Sequence, residues 1–341
     1  MGRMPPDRLN RPEDDRQPDI PPAPRSATSQ QLTRTEDAVL HVLAGTPLNH
    51  VADCFRMPPA TLATAVETYQ RAGREALRYQ HGDSDWWQLY IEFTDWPRAE
   101  EAAAEHLAPL LDTSTTRWWF IRKHPCWRVR LREDSSYRRT VLDSALDRLT
   151  VRGHIQSWWH GIYEPETTAF GGPEGMNVAH ELFCADSHAI LNAPLDDQPK
   201  LGRRELSVLL CTALFRAAGL EWYEQGDAWH LVAQQRPLPT DVPTGRLEAM
   251  AESLRLLMSA DLAADGPLLS ESGPLPFAAE WAGAFHRAGQ ALGASARAGT
   301  IERGLRRVLA YHVIFHWNRL GLPLRTQSIL ATAAQTAILT V

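Results

Sequence analysis

Four groups of residues carry side chains suited to chemistry. The first is the alternation Trp127, Arg128, Val129, Arg130, Leu131, Arg132. On a strand, a period of two puts the three arginines on one face and the apolar residues on the other. Guanidinium groups side by side repel one another, so such a row calls for carboxylates, from the protein or from a ligand. A solvated charged sheet face is the plain alternative. The second group is Tyr163, Glu164 and Glu166, followed by the turn Phe170-Gly171-Gly172. A strand that ends on carboxylates and bends through two glycines leaves side chains at a sheet edge, where a peptide can approach closely. Glu166 suits either a general base or an ion-pair partner of the arginine row.

The third group is His180, Glu181, Asp186, Ser187 and His188 on one helical segment. The residue four after His180 is Cys184, so the H-E-x-x-H zinc pattern is absent and no metal is expected. A cluster of this kind more often caps or orients than catalyses. The fourth is YHVIFHWNRLGL, in which His312 and His316 stand four apart on a helix face and Asn318 and Arg319 follow. That arrangement suits acid-base work near neutral pH, although histidines on apolar helices are commonly core residues. No G-x-G-x-x-G follows a strand, FGGPEG lacks the Lys-Ser/Thr of a phosphate cradle, and no G-x-S-x-G elbow occurs. No cofactor is expected.

These groups need a scaffold, and the chain is long enough to build one. It has 341 residues, 44% hydrophobic, with a formal charge of -6, which gives no overall footprint for nucleic acid or an anionic membrane. Cys54, Cys126, Cys184 and Cys211 are widely spaced without a C-x-x-C pair, in keeping with a reducing compartment. With no apolar run before about residue 38 and no later membrane-length segment, a soluble, cytoplasmic protein is expected.

Residues 1–32, rich in Pro, Asp, Arg, Ser and Gln, are expected to form a disordered tail. Residues 33–80 read as three short helices: Thr33 and Glu36 have capping-box spacing, Gly45 closes the first helix, and Pro58-Pro59 opens the third. The cadence is that of a helix-turn-helix, but the polar face of the third helix carries Thr61, Thr64, Glu67 and Thr68, which argues for packing or peptide docking over DNA binding. From Trp86 the order is β-α-β-β-α-β: WWQLYIEF, a helix over Pro97 to Leu111, RWWFIRK and CWRVRLR meeting near His124-Pro125, a helix over Ser135 to Leu149, and IQSWWHGIYE. The expected fold class is α+β. A ferredoxin-like portion is followed by helices over Met176–Leu191, Arg204–Ala218, Leu247–Leu262, Phe277–Leu292, Ile301–Leu320 and Thr326–Leu339, giving one domain over 86–341.

Taken together, WWFIRKHPCWRVRLRE, YEPETTAFGGPEGM, AHELFCADS and HVIFHWNRLGL resemble the thiopeptide-type bacteriocin biosynthesis family. That family is similar to the domain of lantibiotic dehydratases that removes glutamate from glutamylated Ser or Thr of a ribosomal precursor peptide. It also includes the thiopeptide pyridine synthases, which join two dehydroalanines by a formal [4+2] cycloaddition and release the leader peptide. The resemblance implies that Arg128 and Arg130 match the paired arginines of the elimination domain and that Glu166 matches its glutamate. The family histidine falls at His316 or His312, and Ala169 stands where the family has a catalytic arginine.

A residue without charge at 169 favours cycloaddition over glutamate elimination. Tyr163, Glu166, His316 and His312 are then the proton-transfer residues, with Arg128, Arg130, Arg132, Trp119, Asn318 and Arg319 in contact with substrate. The expected partner is a leader-bearing, dehydrated precursor peptide, with a glutamyl-tRNA-dependent dehydratase as a second partner under the elimination reading. A third reading is a non-catalytic peptide-docking subunit of such a dehydratase, with the N-terminal helices as the docking module.

Overall fold

A computed structural model of the chain describes residues 27–80, 86–115, 117–132, 136–193, 201–263 and 265–340. The chain forms two compact units, residues 1–84 and residues 85–341. In the first, α1 (Ala27–Leu43), α2 (Leu48–Cys54) and α3 (Pro59–Gln80) bury Ala38, Val39, Val51, Ala52, Leu62 and Val66 against one another. Helix α1 starts at Ala27, so Thr33 lies inside it and is not its N-cap. Once the prolines end at Pro24, nothing in the sequence obstructs a helix. The tail expected over 1–32 lies outside the described residues as far as residue 26. Gly45 takes a φ of +98° just past α1, the left-handed conformation that helix C-termini favour.

The second unit opens with the sheet. Strands β1 (Trp86–Phe93), β2 (Arg117–Lys123), β3 (Cys126–Arg132) and β4 (Ile155–Gly161) run antiparallel in the order β2-β3-β1-β4. Between β1 and β2 lie α4 (Ala99–Ala102), a π-helical turn (Ala103–Leu107) and α5 (Ala108–Ser114); between β3 and β4 lies α6 (Ser136–Val151). This is the expected βαββαβ order, and the α+β class holds.

Alternation along the strands decides what each sheet face meets. Leu89, Ile91 and Phe93 of β1, Trp118 and Phe120 of β2, and Trp127, Val129 and Leu131 of β3 join one apolar cluster with Leu107 and Leu111 of the first helical stretch and Leu142 and Leu146 of α6. The opposite parity, carrying Trp86, Trp119 and Arg130, faces away from those helices.

The remaining chain is helical: α7 (Pro173–Asn192), α8 (Arg203–Ala217), α9 (Trp222–Gln235), α10 (Thr244–Met258), α11 (Ala279–Arg297), α12 (Leu305–Leu320) and α13 (Leu324–Leu339). Helix α9 is an addition to the sequence reading, which assigned no element over 219–235. Its interior Gly226 is explained by α13, because a Cβ there would lie 2.7 Å from Ile338. Helix α7 shields the outer edge of β2, where the Ser187 hydroxyl accepts a hydrogen bond from the Phe120 backbone N–H at 3.1 Å. Among the described residues, no helix is long and apolar enough to cross a membrane.

Candidate functional site

The second sheet face is where the first two chemical groups of the sequence meet. Arg130 projects from the middle of β3 and is only 4% exposed. Its guanidinium lies 4.4 Å from the Trp119 ring centroid and 5.5 Å from that of Tyr163. Among the described residues it donates one hydrogen bond, from Nη1 to the Arg128 carbonyl at 3.2 Å, and its buried Nε meets no acceptor. Among the described residues, no carboxylate forms an ion pair with Arg128 or Arg130. Burial pulls the Arg130 pKa down to about 10, while the phenol of Tyr163 and the carboxylate of Glu166 pull it back up. A guanidinium this deep costs free energy unless an anion or strong acceptors meet it, and here aromatic faces supply only part of that compensation.

Tyr163 sits just past the end of β4, where the chain turns from sheet to α7. Its hydroxyl is 2.8 Å from His180 Nε2 on α7. Trp86 stacks on His180 with centroids 4.7 Å apart, and Trp119 packs edge-on to Tyr163 at 5.8 Å. Burial pushes the Tyr163 phenol well above its ordinary pKa and draws His180 down to about 3, where Arg132, Arg130 and Arg117 also disfavour the imidazolium. Both partners are therefore neutral at physiological pH. Glu166 is exposed on the loop that follows, near enough to act electrostatically on Arg130 and Tyr163.

The turn that carries Glu166 is built by its glycines. Gly171 and Gly172 have φ of +86° and +95°, and the Gly171 carbonyl accepts from the Glu302 backbone N–H at 2.9 Å. A Cβ on Gly171 would come within 2.8 Å of Ile301, and one on Gly172 within 2.7 Å of Glu302. The turn thereby folds Phe170 inward, onto Phe183 and Phe315. Ala169 is half-buried against this same aromatic cluster.

Across the sheet from Arg130 the face is more open. Arg128 lies 5.6 Å over the Tyr90 ring, and Tyr90 stacks nearly parallel on the exposed Trp159 of β4 at 5.2 Å. Arg132 closes the row next to β1, paired with Trp86 in the strand register. The three arginines thus share one face, as their alternation implies.

The fourth group occupies a different place. His312, His316 and Arg319 of α12 are all buried, behind the Phe170 and Phe183 rings. Asp186 of α7 binds His316 Nδ1 at 2.9 Å, accepts from Arg319 Nε at 2.6 Å, and accepts from Trp281 Nε1 at 2.8 Å. This cluster ties α7, α11 and α12 together. Among the described residues, neither ring nitrogen of His312 has a hydrogen-bond partner, and burial lowers its pKa to about 3. Asn318 accepts from Gln327 Nε2 of α13 at 3.1 Å, at the junction of the last two helices. Of the residues singled out in the sequence, the fold therefore gathers Arg128, Arg130, Arg132, Trp119, Tyr163 and Glu166 around one face. It sets His312, His316 and Arg319 in the layer behind, and Asn318 towards α13.

His180, Trp86 and Tyr90 complete the front layer. Nothing in the local spacing marks His180 as the partner of Tyr163, since the contact depends on α7 returning against the sheet. Two clefts, of about 310 and 460 Å³, lie at the C-terminal end of α7, and no residue of the front layer lines either. Among the described residues, no three His, Cys, Asp or Glu side chains gather as a metal site requires.

A ferredoxin-like sheet backed by a helical half, with a cationic and aromatic face at the strand-to-helix turn, defines the class. Residues 86–338 match the family model described as "Lantibiotic biosynthesis dehydratase C-term", and the chain belongs to that family. Two solved structures share its fold. One is the tRNA-dependent lantibiotic dehydratase MibB from Microbispora sp. 107891, 18% identical, covering 75% of this chain and 28% of that one with a TM-score of 0.57. The other is TsrL, 18% identical, covering 74% of this chain and 93% of that one with a TM-score of 0.50. The chain thus spans little more than a quarter of the MibB chain. No curated protein matches it.

Proposed function

We propose that the domain modifies a ribosomally made precursor peptide, and that its reaction is the formal [4+2] cycloaddition of two dehydroalanines with release of the leader peptide. The observation that carries this reading is the neutral Tyr163–His180 pair, hydrogen-bonded at 2.8 Å and packed against Arg130, with which no carboxylate among the described residues forms an ion pair. Cycloaddition of two dehydroalanines needs an amide converted to its iminol and two alkenes held together. A guanidinium polarises the amide oxygen, a phenol transfers the proton, and confinement of both alkenes supplies effective molarity. The open row of Arg128, Tyr90 and Trp159 offers planar and cationic surface along which an extended peptide can lie. Glu166, exposed at the rim, is placed to exchange protons with solvent or to position the peptide backbone.

Elimination of glutamate from a glutamylated residue is the second reading. The Arg130 guanidinium, which has no ion pair among the described residues, favours it, because a glutamyl carboxylate would satisfy that charge. Against it, Ala169 supplies no cation where the family has its catalytic arginine, and His316 is held by Asp186 in the buried layer. The two readings separate on incubation of the protein with two synthetic precursors. Conversion of the bis-dehydroalanine peptide with loss of leader supports cycloaddition; loss of glutamate from the glutamylated peptide, with the first left unchanged, supports elimination. Binding of either peptide without conversion would support a docking role.

A further inference from the structure

Among the described residues, His180 is a buried titratable group in direct contact with the proposed reacting centre, and the proposed reaction gives it no step of its own. We propose that His180 is a positioning residue of this site: its Nε2, hydrogen-bonded to Tyr163, aims the phenol at the substrate oxygen held by Arg130. The inference rests on the reading of the Arg130 face as the reacting centre. Three observations support it. The Tyr163 hydroxyl and His180 Nε2 are 2.8 Å apart. The imidazole is clamped between elements, stacked on Trp86 at 4.7 Å and tilted against Trp119 at 6.3 Å, so its direction is fixed. The Arg130 guanidinium lies 5.5 Å from the same phenol ring.

Burial keeps the pair neutral, and the charged surroundings add to it. Arg130 and Arg132 face His180 from β3 and Arg117 faces it from β2, while on its own helix Glu181 is 3.6 Å from Arg117. Glu166 on the loop and Cys184 on α7 both act on Tyr163 to hold its proton in place, against the pull of Arg130. Protonation of His180 would add a fourth cation to the group. The imidazole therefore keeps one proton throughout, and the phenol carries the mobile one.

The proton balance closes without an outside reagent. The Tyr163 O–H proton passes to the amide oxygen, and the amide nitrogen returns its own proton to the phenolate that remains. The substrate leaves this exchange as the iminol tautomer and Tyr163 is again a phenol. Arg130 offsets the negative charge while it exists. His180 neither gains nor loses a proton; it holds the oxygen in line for both transfers.

A buried tyrosine–histidine hydrogen bond can also be only a core contact, and two variants of the full chain separate the two roles. His180→Phe keeps a ring against Trp86 and removes the bond to Tyr163, whereas His180→Gln keeps a polar group within reach of the phenol. On the bis-dehydroalanine peptide, His180→Phe is expected to lower kcat about 30-fold with KM changed less than about twofold, and His180→Gln to recover most of that loss. A readout independent of turnover is the carbon-13 chemical shift of the Tyr163 Cζ at neutral pH, identified by difference from Tyr163→Phe, because burial keeps this phenol protonated far beyond the ordinary range. His180→Phe is expected to move that resonance and His180→Gln to restore it. Equal kcat in all three proteins, or a Tyr163 resonance that His180→Phe leaves unmoved, would overturn the proposal. If the wild-type chain leaves the peptide unchanged while the resonance responds as expected, the cycloaddition reading fails and the Tyr163–His180 pairing stands.

Discussion

Asp186 on α7 and Arg319 on α12 meet through a 2.6 Å hydrogen bond in an interior from which both side chains are sealed. The carboxylate also holds His316 Nδ1 and Trp281 Nε1. Burial raises the Asp186 pKa, but the two basic partners outweigh it and the net shift is downward. Loss of one partner from such a group leaves an uncompensated charge, which costs more than the pair itself contributes. Asp186→Ala is expected to destabilise the domain by about 3–5 kcal/mol, measured by urea denaturation. A loss below about 1 kcal/mol would show that the cluster does not hold α7 and α12 together.

The two deeply buried, neutral histidines give stability a defined pH dependence. His180 and His312 have folded pKa values near 3, against about 6.5 for a free imidazole. Their folded values are depressed, so the unfolded chain binds more protons between these limits and stability falls as pH drops from about 6.5 towards 3. Each histidine contributes a slope of up to about 1.4 kcal/mol per pH unit in that window. His312→Leu is expected to remove about one histidine's share of the slope, seen by comparing urea midpoints at pH 7 and at pH 4.5. An unchanged slope would mean that His312 is protonated in the folded protein.

Much of this arrangement was legible in the sequence where the signal was local. Period-two alternation placed Arg128, Arg130 and Arg132 on one face, and the βαββαβ order followed from hydrophobic pattern and turn residues. What was not legible depends on contacts across long stretches of chain. Asp186 looked like a capping residue because its partners, His316 and Arg319, are on a helix more than a hundred residues later. His180 gave no sign of Tyr163 because their meeting depends on how α7 docks against β2. Helix α9 was missed since Gly226 weakens the local helical signal, and the reason for that glycine is the approach of α13.

Arg128 and Arg130 adjoin on one face but differ in surroundings, and substitution should expose the difference. A lysine at 130 keeps the charge but loses the planar stack on Trp119 and the fork of donors. Arg130→Lys is expected to weaken precursor binding about 10-fold or more, and Arg128→Lys by less than about threefold, as read by titration calorimetry. Equal effects of the two would place the substrate on the exposed row and not at the buried guanidinium.

Gly171 tests the turn that carries Glu166. With φ at +86° and Ile301 and Val308 against its α-carbon, an added methyl group is both strained and crowded. Gly171→Ala is expected to cost about 1–3 kcal/mol and to lower turnover with it, since Phe170 and Ala169 move with the turn. A thermal midpoint equal to that of the wild-type chain would show that the turn tolerates the side chain.

The most direct test of the proposed reaction is the intact mass of a leader-bearing peptide with two dehydroalanines, followed during incubation with the wild-type chain and with Arg130→Met. The expected result is free leader peptide together with a core fragment that has lost the leader and one water, formed by the wild-type chain and at least about 100-fold more slowly by the variant. An unchanged bis-dehydroalanine peptide, with glutamate released from a glutamylated precursor by the same preparation, would contradict it.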